Sequence, residues 1–135
     1  MQHLGLAVSD LESAIQTYER AFGVEVHRHG VQPAEKIDVA TFRVGDVEIE
    51  LMEPTESESP VGRFLARRGE GVHHVAYQVD DATVALRQAR EAGLETIDQE
   101  PRAGLRGTRV AFIHPRSVNG VLTELVEEGG RGGDG

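Results

Sequence analysis

The chain has no cysteine. Disulfides, zinc–thiolate sites and cysteine nucleophiles are therefore excluded. Lysine is almost missing as well: Lys36 is the only one, and the other basic residues are arginines. Lys and Arg total 14 against 23 Asp and Glu, which leaves a net charge of −9. Binding nucleic acid needs clustered cations, so nucleic acid is not an expected partner. No apolar run reaches the roughly 20 residues of a membrane helix, and Met1 leads straight into a strand pattern with no signal-peptide pattern. The expectation is a cytoplasmic chain without a membrane partner. An acidic, lysine-poor, cysteine-free composition suits a salt-loving source; a GC-rich genome would also favour Arg over Lys, and both readings stand.

What is present is a repeat. His3-Leu4-Gly5-Leu6-Ala7-Val8 returns as His74-Val75-Ala76-Tyr77-Gln78-Val79, and Val47-Glu48-Ile49-Glu50-Leu51-Met52-Glu53 returns as Val121-Leu122-Thr123-Glu124-Leu125-Val126-Glu127. The histidines lie 71 positions apart and the glutamates Glu50 and Glu124 lie 74 apart. A unit that repeats one imidazole and one carboxylate can assemble two of each, a ligand set for a divalent ion.

Periodicity gives both copies the same element order. In the first, residues 3–8 read as a strand. Ser9 offers a helix cap with Glu12 at capping-box spacing, helical intervals run from Leu11 to Phe22, and Gly23 supplies a stop. Val24–His29, Ile37–Val44 and Val47–Met52 read as three strands, with Gly45-Asp46 as a tight hairpin. In the second, strands are expected at His74–Val79, Glu95–Gln99, Thr108–His114 and Val121–Glu127. Its helix is capped by Asp80 or Asp81 and ends at Ala92-Gly93. Between the copies, Pro60–Arg68 reads as a short helix capped by Ser59. The reading is one 135-residue domain: module one 1–54, connector 55–71, module two 72–128. The glycine-rich tail 129–135 is expected to be disordered.

Side chains alternate between faces along a strand. Leu4, Leu6 and Val8 then suit the face under a helix, with His3, Gly5 and Ala7 opposite. Glu50 opposes Ile49 and Leu51; Glu124 opposes Thr123 and Leu125. All four candidate ligands, His3, Glu50, His74 and Glu124, can thus lie on the non-helix face of their sheets. Two imidazoles and two carboxylates suit Co, Ni, Zn, Mn or Fe(II), and four protein ligands leave an octahedral ion positions for substrate. A single strand-end His or Glu is ordinarily structural or solvated; repetition in register is what sets these apart.

Other residues read more plainly. His73 points opposite to His74 and suits packing. His27 and His29 suit an exposed strand edge, with metal binding the alternative. His114 suits a turn, with a pocket wall the alternative. Glu48 is a second acid beside Glu50 or a solvated residue. The loops Pro101–Gly107 and His114–Gly120 carry Arg102, Arg106 and Arg116, which suit carboxylate or phosphate groups if the loops are more than ordinary hairpins.

The paired units resemble the vicinal oxygen chelate superfamily, which includes glyoxalase I, extradiol dioxygenases and fosfomycin-resistance proteins. The segments Glu50-Leu51-Met52-Glu53-Pro54-Thr55, Gly69-Glu70-Gly71-Val72-His73-His74-Val75-Ala76, Phe112-Ile113-His114-Pro115-Arg116-Ser117 and Gly120–Leu125 are most similar to its methylmalonyl-CoA epimerases. The resemblance spans residues 1 to about 127. It implies an α+β fold in which two tandem βαβββ modules form a cupped, barrel-like mixed sheet with helices outside. It implies one divalent metal ion on His3, Glu50, His74 and Glu124, methylmalonyl-CoA as substrate, and a homodimer.

By the same resemblance, C2 of the substrate is epimerised by proton abstraction, with Glu124 as first candidate base and Glu50 as second; Glu48, Glu35 or a metal-bound water is held in reserve. Some members carry a further glutamate in the third strand, where this chain has Val39. Arg116 stands where Lys is common. The alternatives are a glyoxalase I-like enzyme acting on a glutathione hemithioacetal, and a non-catalytic small-molecule binder; an extradiol dioxygenase suits a longer chain.

Overall fold

The computed structural model describes residues 1–129; the expected disorder of the tail falls almost wholly on 130–135, outside the described residues. The described chain divides into two compact units, His3–His73 and a second made of Met1–Gln2 with the chain from His74 onward. Each holds one βαβββ module, as the repeat requires, and the fold is α+β.

In the first unit, β1 (His3–Ala7) leads to α1 (Leu11–Phe22), then β2 (Arg28–Gln32), β3 (Ile37–Val44) and β4 (Val47–Pro54). The cap of α1 is Asp10 and not Ser9: its carboxylate accepts from the Ser13 amide at 3.1 Å. The Ser9 amide instead donates to Glu70 at 2.8 Å. Gly23 ends the helix at φ 67°, a conformation costly for residues with a Cβ. Strand order is β2-β3-β4-β1, with β1 parallel to β4 and the other pairs antiparallel. Gly45-Asp46 makes the expected hairpin, since Val44 pairs with Val47.

In this sheet the side chains fall on the faces that strand parity predicts. One face of this sheet packs Leu6, Val8, Ala40, Phe42, Ile49 and Leu51 against Leu11, Ala14, Ile15 and Tyr18 of α1. Leu11 and Leu51 are almost fully buried, and each contributes about 1.5–3 kcal/mol through loss of water contact. The opposite face reads in rows of directly facing residues. Val39, Met52 and Ala7 form one row; Thr41, Glu50 and Gly5 the next; Arg43, Glu48 and His3 the next. Helix α2 (Pro60–Arg68) has Ser59 as its cap, as expected. It sets Val61, Phe64 and Leu65 against the row of Val39, so the connector helix packs on the first module.

Valines 24 and 26 do not form a strand. They pack into the cluster under α1, and the ladder begins only at Arg28. Alternation alone reads them as a strand, but their neighbours on the sheet are side chains and not a partner backbone.

Strand β5 (Gly71–Val79), whose residues from His74 belong to the second unit, leads to α3 (Ala82–Glu91), capped by Asp81, which accepts from the amides of Thr83 and Val84. Strands β6 (Arg102–Ala103), β7 (Arg109–Ile113) and β8 (Leu122–Glu127) follow in the order β5-β8-β7-β6. Residues 95–99 make only one bridge, Thr96 to Ile113, and no strand. The Asp98 carboxylate accepts from the Phe112 amide at 2.7 Å, taking the donor that a strand carbonyl would use. The short partner strand falls instead inside the loop read as Pro101–Gly107.

Candidate metal and acid–base site

Each module builds the same His–Glu pair by the same register. In module one, Gly5 faces Glu50 across the parallel β1–β4 ladder, and His3 is one row away facing Glu48. In module two, Ala76 faces Glu124 across the parallel β5–β8 ladder, and His74 faces Leu122. The residue facing each glutamate across its parallel ladder is small, Gly5 or Ala76, while Thr41 and Phe112 face them on the other side. His3 Nε2 lies 3.7 Å from Glu50 Oε1. His74 Nε2 lies 3.4 Å from Glu124 Oε1. His3, His74 and Glu124 are buried, and the Glu50 side chain is nearly so.

Those separations suit two donors to a common ion, because adjacent ligands about 2.1 Å from a metal stand about 3 Å apart. The donor set of neutral imidazole and carboxylate also fits a borderline divalent ion. The second module adds an aromatic wall. The Phe112 ring stands edge-on to His74 with centroids 6.3 Å apart. Arg102 lies over that ring at 5.3 Å and is held by Asp98 at 3.2 Å. Arg102 was legible in the sequence only as a loop arginine; its place over Phe112 follows from β6 pairing with β7, which periodicity did not reveal.

The lesser candidates resolve as follows. His73 packs edge-on against Phe64 of α2, a structural role. His114 accepts from the Arg116 amide through Nδ1 at 3.0 Å and caps a 3-10 turn. Arg116 pairs with Glu95. His29 is exposed, 3.5 Å from Asp38. Glu35 is exposed in the β2–β3 turn. Val39 is buried beneath α2 and brings no carboxylate. Glu48 is neither solvated nor a free acid: Arg28 and Arg43 donate to its two oxygens at 2.8 and 3.0 Å.

The chain belongs to the glyoxalase/bleomycin resistance protein/dioxygenase superfamily, whose family model matches residues 2–112. Within it, the chain is 35% identical to the ethylmalonyl-CoA/methylmalonyl-CoA epimerase of Cereibacter sphaeroides, covering 93% of this chain and 95% of that one. It is 37% identical to the uncharacterized protein YqjC of Bacillus subtilis, covering 96% and 93%. A solved methylmalonyl-CoA epimerase of Streptomyces coelicolor, in complex with 2-nitronate-propionyl-CoA, superposes with a TM-score of 0.88 at 35% identity, covering 95% and 93%. No helix among the described residues is long and apolar enough to cross a membrane.

Proposed function

We propose that this chain epimerises methylmalonyl-CoA at C2, using one divalent ion held by His3, Glu50, His74 and Glu124. The observation that carries the reading is the duplicated His–Glu pair, built at the same register in both modules of a chain with epimerase relatives along nearly its whole length. A divalent ion held there would act as a Lewis acid toward the thioester oxygen on which charge develops when the C2 proton leaves.

The residues supply the rest. Removing a proton from a carbon flanked by a thioester and a carboxylate, and returning it to the opposite side, needs two proton-carrying groups. The duplication offers a carboxylate from each module. Glu124 is assigned the base on one side of C2 and Glu50 the partner on the other. Their imidazole neighbours hold the carboxylates' surroundings fixed, and burial keeps water from competing for the proton. Glu48 is not assigned a proton-transfer role, because both of its oxygens are engaged by guanidinium groups. We further assign a homodimer as the working form and the cytoplasm as its place, in keeping with the superfamily resemblance.

The test is turnover of methylmalonyl-CoA, with and without a chelator, beside a glutathione hemithioacetal. The expected result is chelator-sensitive epimerisation of the first and no reaction of the second. Turnover of the hemithioacetal alone would reassign the chain to glyoxalase-type chemistry. Tight ligand binding without turnover of either would make it a binder.

A further inference from the structure

A scaffold made of two copies of one module presents two nearly equivalent ways to seat a ligand, yet an acyl thioester is unsymmetrical. Something in one module must set its direction. The rows that carry the two His–Glu pairs differ most in charge at the position beside each histidine. Where His3 faces Glu48 in module one, His74 faces Leu122 in module two. Leucine holds nothing. Glu48 holds two arginines, Arg28 Nη2 at 2.8 Å and Arg43 Nη2 at 3.0 Å, with His27 Nε2 at 3.8 Å.

These side chains share a face with Glu50. Arg28 faces Thr41, which faces Glu50, and Arg43 faces Glu48. The Glu48 side chain is 12% exposed, while those of Arg28 and Arg43 are 41% and 55% exposed. The arrangement is therefore a buried anchor with two cations projecting into solvent. Each guanidinium has five N–H donors and gives Glu48 only one hydrogen bond, so most of each fork is turned elsewhere. One carboxylate against two guanidinium groups leaves the trio net positive, in a chain of net charge −9. Exposed ion pairs of this kind add little to stability, and the like charges repel. Module two holds its own histidine beside an uncharged Leu122, so a His–Glu pair can be built without such a trio.

We propose that Arg28 and Arg43, fastened by Glu48, form an oxyanion-recognition site beside Glu50 that binds an anionic group of the substrate and so marks the first module as the end at which that group is held. This rests on the epimerase reading above. The group is a carboxylate or phosphate oxyanion, which a planar fork binds with two donors. The acyl head and the nucleotide end of an acyl-CoA both carry such groups.

The experiment measures steady-state kinetics of Arg28→Ala and Arg43→Ala with methylmalonyl-CoA and with methylmalonyl-pantetheine, which lacks phosphates. Melting temperatures are measured in parallel. Losing one charged hydrogen-bonding partner should raise KM about 10-fold or more with kcat little changed. Arg→Lys should recover part of the loss. A penalty seen only with the CoA ester assigns the site to phosphate; a penalty with both esters assigns it to the carboxylate. Unchanged KM for both esters, in variants of wild-type melting temperature, overturns the proposal and leaves the epimerase reading intact. If wild-type protein turns over neither ester, the epimerase reading fails, and calorimetric titration with coenzyme A and with methylmalonate decides this one. Binding that weakens in Arg28→Ala supports it; absent or unchanged binding overturns it.

Discussion

Glu53 and Glu127, 74 positions apart, do the same thing in their separate modules: each carboxylate accepts from the first amide of its module's helix, Leu11 for Glu53 and Ala82 for Glu127, both at 2.8 Å. Each sits three residues beyond a candidate metal ligand on the same strand and points to the other face. The two glutamates closing each strand thus divide the work, one facing the chemistry and one tying the helix to the sheet. A carboxylate at a helix N-terminus is stabilised by the exposed amides and by the helix dipole.

Glu53→Ala should therefore lose about 1–2 kcal/mol of stability by leaving a half-buried amide without its acceptor. Glu127→Ala should lose more, because the same carboxylate also receives Arg109 at 2.9 Å. Urea denaturation midpoints check both, and the rank order of the two variants is the sharper part of the prediction.

Purified protein should carry about one divalent ion per chain by elemental analysis, the count that the proposed four-residue ligand set requires. His3→Ala and His74→Ala should each lower that occupancy. In the wild type, chelation should lower the melting temperature as well as the activity, since an ion that binds only the folded chain stabilises it. A melting temperature indifferent to chelator, with no metal found, would remove the ion from the account.

Glu124→Gln keeps the shape of the side chain and removes its capacity to take a proton. Exchange of the C2 proton with solvent deuterium should fall by at least about 100-fold. Metal content has to be measured on the same sample, because Gln is also the weaker ligand. Full exchange in a metal-loaded variant would take the base role away from Glu124 and pass it to Glu50.

Gly62→Ala should destabilise the chain although Gly62 lies inside α2. In an exposed helix the change would gain about 1 kcal/mol. Here a Cβ would stand 2.5 Å from the Ser57 carbonyl oxygen and 2.6 Å from that of Glu56, and backbone cannot step aside cheaply. The same turn is pinned by Ser59, whose hydroxyl donates to the Glu56 carbonyl and accepts from the Gly62 amide. A thermal melt showing Gly62→Ala above wild type would contradict the close approach.

The sequence made the duplicated pairs legible because a repeat is a long-range signal written in local text. His3 and His74 could be matched without knowing any contact, and strand parity then placed Glu50 and Glu124 on their faces. It was less informative wherever a side chain replaced a backbone partner. Val24 and Val26 look like strand residues but have no ladder, and Asp98 interrupts one by capturing the Phe112 amide. Glu48 illustrates a third kind of loss. Its parity was right, but its two arginines come from β2 and β3, whose pairing register is not visible in alternation.

The rows of module one also run from oily to wet. Ile37, Val39, Met52 and Ala7 lie packed under α2 at one end of the face, and Arg28 and Arg43, held by Glu48, meet solvent at the other. Glu50 therefore stands at the seam between an apolar stretch and a cationic one, so the first module offers an incoming molecule two unlike flanks.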